Sequence, residues 1–302
     1  MAKLSDYFKS IFFLLIIVQF TPYIVKSIRK NYANFLEPKI KVGVITFKDE
    51  LSSSSTYLKD LRDFFMDPSI KAIVLKMTEC PGGRAGTSQA LFREILDLKK
   101  TYNKAIITYI ENLCASGGYY VAAATDYIIA TPSAFVGSIG VYIPQPYFKD
   151  FIEQFKIKYN MIQTGEYKTA GSPWREMTDQ EKALLQSLTN DTYEQFVQDM
   201  AHQRPQLSLA QANEWANGKV FTARQALGTL VDELGSQSTV EQALRKRAPI
   251  EGDIEWVKPH HPNSLLSLLS DQDDEEGNSY IKAAIASVLS TNAPIKSLVA
   301  QT

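Results

Sequence analysis

Between residues 39 and 257 the chain alternates short apolar runs with amphipathic and turn-forming segments. Lys39–Phe47 (KIKVGVITF) reads as a strand, and Tyr57–Met66 as an amphipathic helix after the polar Ser52–Thr56 stretch. Asp67-Pro68 ends that helix, because the residue before a proline is pushed out of the helical region. Ile70–Met77 (IKAIVLKM) is a second buried strand, Cys80–Gly86 (CPGGRAG) a glycine-rich turn, and Thr87–Lys100 a helix ending in lysines. Lys104–Ile110 (KAIITYI) is a third strand, followed by a turn at Ser116 and a small-residue helix to about Ala124. Tyr127–Ala130 and Val136–Ile143 predict short strands, Tyr147–Phe155 a helix and Lys158–Gln163 another strand. A long helix spans Thr178–Met200, with Thr178 as N-cap and Glu181 three residues on to form a capping box. Ala210–Ala216, Ala223–Leu227 and Val240–Arg247 predict short helices, and the pattern weakens beyond Pro249. Strands alternating with helices predict an α/β fold with a parallel-strand core and right-handed crossovers.

Both ends of the chain depart from this alternation. Ile11–Phe20 is almost unbroken apolar sequence that runs on to Val25, with Lys3 and Lys9 before it and Lys26, Arg29 and Lys30 after it, and Phe8–Val25 makes 18 residues with Lys9 at the edge. That is at the short end of what crosses a bilayer, about 17–25 residues. No small-x-small site follows the run. An N-terminal transmembrane helix is the expectation, with an interfacial helix or a cleaved signal as the other readings. Positive charge on both flanks leaves the orientation open. At the other end, Asp271–Gly277 (DQDDEEG) is an acidic linker and Ser279–Leu289 an amphipathic helix. The expected organisation is a membrane anchor with basic flanks over residues 1–30, one α/β domain over 31–258 and an extension over 259–302.

Composition narrows the functional classes. A chain of 302 residues that is 45% hydrophobic can bury a substantial core. A net charge of -1 and the lack of a basic, aromatic-rich patch argue against nucleic acid as a partner. Two cysteines, Cys80 and Cys114, are too few for a disulfide framework and read as small buried side chains, with a single bridge between them left open. The three histidines, His202, His260 and His261, lie in no metal-spaced cluster, so neither a zinc site nor a cofactor is expected.

Three segments carry candidate chemistry. In Glu111–Tyr120 (ENLCASGGYY), Ser116 sits between a small residue and two glycines, after an apolar strand and before a helix. That is the local pattern of a nucleophile elbow, where the side chain is exposed at the strand end and the next backbone N–H faces the reacting atom. Read alone, it also fits a plain turn. In Thr78–Gly83 (TECPGG), consecutive glycines let backbone amides approach a ligand, so the N–H groups of Gly83 and Gly117 could form an oxyanion hole. In Thr164–Thr178 (TGEYKTAGSPWREMT), Lys168 sits in a polar loop bounded by glycine, serine and proline. A serine nucleophile needs a base, and a lysine can take the place of histidine where desolvation disfavours its charged form.

Together, CPGG (80–83), CASGGYYVAAATDYIIATP (114–132), GSIGV (137–141), GEYKTAGSPWREMT (165–178) and GKVFTARQALGTLVDELG (218–235) resemble the signal peptide peptidase A family of Ser-Lys proteases, in a short single-copy form. The resemblance covers roughly residues 40–240. It implies a Clp/crotonase-like fold, Ser116 as nucleophile, Lys168 as general base and the amides of Gly83 and Gly117 as oxyanion donors. Ser138 matches a serine that orients the lysine. It also implies peptide substrates such as remnant signal peptides or misfolded membrane-protein segments. The implied location is the bacterial inner membrane, with the catalytic domain outside the cytoplasm. The implied assembly is a homo-oligomeric ring in which neighbouring subunits share each active site. Ala223, where the family commonly has glycine, and Thr229, where it has leucine, are departures far from the dyad in sequence. Two other expectations compete: a crotonase-type enzyme acting on thioesters with acidic catalysts, and a catalytically silent membrane scaffold.

Overall fold

A computed structural model of the protein describes residues 39–260 and Thr21. The elements below all lie in the unit that ends at Lys258. Apart from Thr21, the expected membrane helix within 8–25, the linker at 31–38, the acidic stretch 271–277 and the helix 279–289 lie outside the described residues. Among the described residues, no helix is long and apolar enough to cross a membrane.

The elements run β1 (Ile40–Phe47), α1 (Ser55–Met66), β2 (Ile70–Cys80), α2 (Ala85–Tyr102), β3 (Ala105–Ala115), α3 (Gly117–Ala123), β4 (Tyr127–Ala130), β5 (Phe135–Gly137), α4 (Lys149–Gln154), α5 (Asp179–Gln203), α6 (Ala212–Trp215), β6 (Val220–Thr222), β7 (Glu233–Leu234), α7 (Gln237–Arg247) and β8 (Ile254–Val257). One mixed sheet carries them in the order β6-β5-β3-β2-β1-β8. All pairings are parallel except β5–β6. This is the α/β fold with a parallel-strand core that the alternation predicts.

Side chains of the central strands alternate between the two faces of the sheet. Ile73, Leu75 and Met77 of β2 join the larger core with Leu61 and Phe65 of α1 and with Leu91, Phe92 and Ile95 of α2. Ala72 and Val74 of the same strand join Val240 and Leu244 of α7 on the other face. Both faces are therefore covered, as a parallel sheet requires.

The strand that positions the site is β3, which forks. Its first half pairs with β4 (Ile107↔Tyr127 to Ile110↔Ala130). Its last residues pair with β5 (Leu113↔Phe135 to Ala115↔Gly137). The expected strand end at Ile110 is corrected to Ala115, because β5 supplies a new partner from Leu113, three residues after the last pair with β4. Val136–Ile143 is corrected to the three residues of β5, because Ser138 adopts a positive φ of 51° and turns the chain away. Lys158–Gln163 is not a strand: it is largely exposed and has no partner strand among the described residues. Ala223–Leu227 is a turn rather than a helix, and Ala210–Ala216 divides into a 3₁₀ turn (Leu209–Gln211) and the short α6. The capping box at Thr178 is present, with the Glu181 N–H donating to Thr178 Oγ1 at 3.2 Å and the Thr178 N–H to Glu181 Oε2 at 2.9 Å.

Candidate active site

Ser116 occupies the single residue between β3 and α3, at φ 50° and ψ −125°. A non-glycine residue with positive φ costs on the order of 1–3 kcal/mol and persists only where its surroundings fix it. Here the fixation is visible: the Ser116 N–H donates to the Gly137 carbonyl of β5 at 2.7 Å, and the Ser116 carbonyl accepts from Tyr120 N–H at 3.0 Å. The hydroxyl makes no capping bond to the helix it starts, which leaves it available for chemistry.

The turn after β2 packs directly against this elbow. Gly82 and Gly83 have φ of 106° and 153°, and a Cβ on Gly83 would lie 2.5 Å from the Leu51 carbonyl oxygen. Only glycine fits there. Leu51 bridges the turn by donating to the Gly82 carbonyl at 2.7 Å and accepting from Arg84 N–H at 3.1 Å. Those two bonds leave the intervening Gly83 N–H without a partner among the described residues. The Gly117 N–H is likewise one of the orphan donors of a helix start. The two amides adjoin: a Cβ on Gly117 would fall 3.3 Å from Gly83 N, and one on Gly82 would fall 2.7 Å from Gly117 N. A pair of unpartnered amides beside a hydroxyl is the arrangement that can hold a developing oxyanion.

Ser116, Gly83 and Gly117 all line one cavity of about 380 Å³. Its remaining wall includes Ser88 and Gln89 of α2, Tyr120 of α3, and Gln195 and Phe196 of α5. None of these four helical polar residues stands out in the sequence, since each is an ordinary polar position on a helix. Only their convergence on one cavity marks them. Among the described residues, Arg84 is the sole charged residue of the lining, which holds no Asp, Glu, His or Lys. Burial and a bond to Asp199 push the Tyr120 phenol well above its ordinary value, so it stays protonated. Among the described residues, the cavity thus presents a hydroxyl and two unpartnered amides but no carboxylate, imidazole or amine that can take the hydroxyl's proton. It also lacks the acidic catalysts that the thioester-enzyme reading expected.

Lys168 does not line this cavity. It is exposed, in a turn where its N–H donates to the Gly165 carbonyl at 3.2 Å. The turn is held in place from its far side. Arg175 donates to the Thr169 carbonyl at 3.2 Å, and it pairs with Glu181 at the start of α5. Hydrogen bonds from Arg175 and from the Thr178 backbone hold the Glu181 carboxyl down at about 2. Ser138 stands one residue beyond the Gly137 carbonyl that fixes Ser116, with its own N–H on the Lys219 carbonyl at 2.6 Å. The structure therefore brings Ser116, Gly83 and Gly117 into one cavity and the Ser138 segment beside it, while Lys168 sits apart within one copy of the chain.

Cys80 and Cys114 face each other in register across β2 and β3, both fully buried and both free thiols. Burial raises Cys80 to about 11 and Cys114 well above the ordinary thiol value.

Comparison with known proteins places this geometry. The model of peptidase family S49 matches residues 98–251. A putative protease of Methanocaldococcus jannaschii is 36% identical over 201 residues, covering 66% of this chain and 62% of that protein. A putative protease of Synechocystis is 30% identical over 204 residues, covering 67% of this chain and 73% of that protein. A putative signal peptide peptidase SppA of Enterococcus faecium is 28% identical over 201 residues, covering 66% of this chain and 58% of that protein. The chain thus spans a little under two thirds of two of these relatives.

Proposed function

The chain belongs to peptidase family S49, the signal peptide peptidase A family, and from that membership we propose that it is a serine endopeptidase whose nucleophile is Ser116 and whose base is Lys168. The observation that carries this reading is the cavity in which a strained, uncapped Ser116 adjoins the free amides of Gly83 and Gly117.

The mechanism follows from those parts. A neutral Lys168 amine accepts the Ser116 proton while Oγ attacks a peptide carbonyl. The carbonyl oxygen becomes an oxyanion held by the Gly83 and Gly117 N–H groups, and the strain at Ser116 keeps Oγ aimed at that point. Lys168 then protonates the leaving amine, and water hydrolyses the acyl-enzyme. Ser138, one residue from the carbonyl that anchors Ser116, would orient the amine. Because the cavity contains no base and Lys168 lies outside it, each active site draws Lys168 from a neighbouring copy, in a homo-oligomeric ring. The arm that carries Lys168 supports an assembled state: α4 buries none of its residues, and Phe151, Phe155 and Ile162 are exposed in a single copy.

The same reading extends to the setting. The enzyme acts on apolar, unfolded peptides such as remnant signal peptides and misfolded membrane-protein segments. It is held at the bacterial inner membrane by the apolar segment within residues 8–25, with the catalytic domain outside the cytoplasm, and it uses no cofactor. A mechanism-based acylating agent, followed by mass spectrometry of the intact chain, tests the chemistry. One adduct on Ser116, absent from Ser116→Ala, is expected. An unmodified Ser116 in a chain that cleaves peptides would refute the assignment.

A further inference from the structure

One wall of the cavity beside Ser116 is a chain of polar side chains whose hydrogen-bond direction is fixed from both ends. At one end is the Asp191 carboxylate, which can only accept. Gln195 Nε2 donates to it at 2.8 Å, so Gln195 Oε1 is the atom presented to Gln89. Gln89 Nε2 donates to that oxygen at 3.0 Å. At the other end, Arg93 holds Asp199 with contacts of 2.7 and 2.9 Å, and Asp199 accepts the Tyr120 hydroxyl at 2.5 Å. The Tyr120 oxygen, having given its proton to Asp199, can only accept, and it does so from the same Gln89 Nε2 at 3.3 Å. An amide's orientation is inferred from its network, and here two carboxylates impose the same answer independently. Both amide protons of Gln89 are spent on the wall, and its Oε1 is left with no partner among the described residues.

The neighbouring hydroxyls do not balance that oxygen. Ser88 Oγ donates to the Arg84 carbonyl at 3.2 Å, and Thr192 Oγ1 to the Leu188 carbonyl at 2.9 Å. Other donors of the lining are Arg84 and the Gly83 and Gly117 amides, at the CPGG turn and the helix start, the Ser116 and Tyr142 hydroxyls, and the second N–H of Gln195, and none of them is bonded to Gln89 Oε1 among the described residues. Beside the Phe196 ring, Gln89 therefore offers a fixed acceptor and no donor of its own, while the one uncommitted N–H of the wall belongs to Gln195. Packing holds it rigid, since the Tyr120 ring stacks on Phe196 with centroids 4.3 Å apart and lies against Phe92 at 4.9 Å.

We infer that Gln89 is a specificity-determining residue. Its Oε1 makes a subsite next to Ser116 that selects a substrate side chain bearing a hydrogen-bond donor over an isosteric apolar one. Within an otherwise apolar peptide, one position would then be hydroxyl- or amide-bearing. A substrate with only methyl groups there would leave a desolvated acceptor unpaired, and sites built around such groups discriminate through that penalty. This inference rests on the peptidase reading above.

The test measures binding, so that it does not depend on turnover. The full chain carrying Ser116→Ala is titrated with fluorescent apolar peptides in matched pairs, threonine against valine, scanned one position at a time. At one position the threonine peptide should bind about 3- to 10-fold more tightly, the worth of one net hydrogen bond. Adding Gln89→Met, which keeps the length and removes the acceptor, should bring that ratio to about 1 while the ratios at other positions stay put. Gln89→Leu, checked by its melting temperature, serves if the methionine variant is unstable. A ratio unchanged by either substitution, valine preferred at every position, or no peptide bound would overturn the inference. Turnover by the chain with Ser116 intact is scored separately. Hydrolysis without a threonine preference defeats only the inference. A threonine preference without hydrolysis defeats only the peptidase reading.

Discussion

Gly117→Ala is the substitution whose consequence can be worked most fully from the structure. The added Cβ would lie 2.2 Å from Ser88 Oγ, 3.1 Å from Ser88 Cβ and 3.3 Å from Gly83 N. Ser88 is fully buried and bonded to the Arg84 carbonyl, so it cannot swing away freely. Overpacking of this kind costs about 1–3 kcal/mol, offset in part by alanine's helix preference of about 0.5–1 kcal/mol. The net loss should lower the melting temperature by about 2–8 °C for a domain of this size. Catalysis should suffer more, because the methyl group stands beside the Gly83 amide and shifts the Gly117 amide. Loss of one oxyanion donor lowers kcat by about 10²- to 10³-fold. A second change separates the two effects. Ser88→Gly removes both of the closest contacts but leaves the methyl group against Gly83 N. The double variant should therefore recover most of its melting temperature and little of its kcat. Differential scanning fluorimetry and turnover of a quenched apolar peptide read the two quantities. Equal recovery of stability and turnover would refute the separation, and a single variant with wild-type kcat would remove these amides from the mechanism.

Acid should loosen the loop that carries Lys168. The folded-state carboxyl of Glu181, held at about 2, lies below its ordinary value of 4.5, so its contribution is complete above about 4.5 and is lost as pH falls toward about 2. Urea midpoints should fall through that window, and Arg175→Gln should flatten the slope; an unchanged slope would contradict the pairing. Cys80 and Cys114 should resist a maleimide at pH 8 in the native protein and react once it is unfolded, because burial keeps both thiols neutral. Rapid native labelling of either would contradict their placement between β2 and β3. Thr178→Ala, which removes the capping bond at the head of α5, should cost about 1 kcal/mol, read as a melting-temperature drop of about 2–4 °C.

Much of the scaffold is legible in the sequence because its signals are local. KIKVGVITF and IKAIVLKM are apolar, β-branched runs buried on both faces, and each is a strand. Thr178 and Glu181 announce α5 at the right residue. The errors fall where a distant partner decides. Glu111 and Asn112 hide the second half of β3, which exists because Phe135–Gly137 arrives to pair with its end. β7 has two residues and is defined by Ile129 and Ala130 of β4. Lys158–Gln163 reads as a strand, yet it has no partner strand among the described residues. The site divides in the same way. Ser116, Gly83 and Gly117 are readable because turn chemistry is local, and the chain brings them together. Gln89, Tyr120 and Gln195 come from three helices and carry no local mark. The proposed role of Lys168 is readable only through resemblance, since nothing among the described residues places it at the serine.

The central claim is that one copy supplies Ser116 and its neighbour supplies Lys168. It is tested most directly by co-expressing Ser116→Ala and Lys168→Ala chains in equal amounts, purifying the mixed oligomers and measuring peptide turnover. In a ring assembled at random, a site is intact only when its serine comes from a Lys168→Ala copy and its lysine from a Ser116→Ala copy. Turnover should then return to about a quarter of the wild-type rate, while each variant alone is inactive. Mixed oligomers as inactive as either parent would contradict the account.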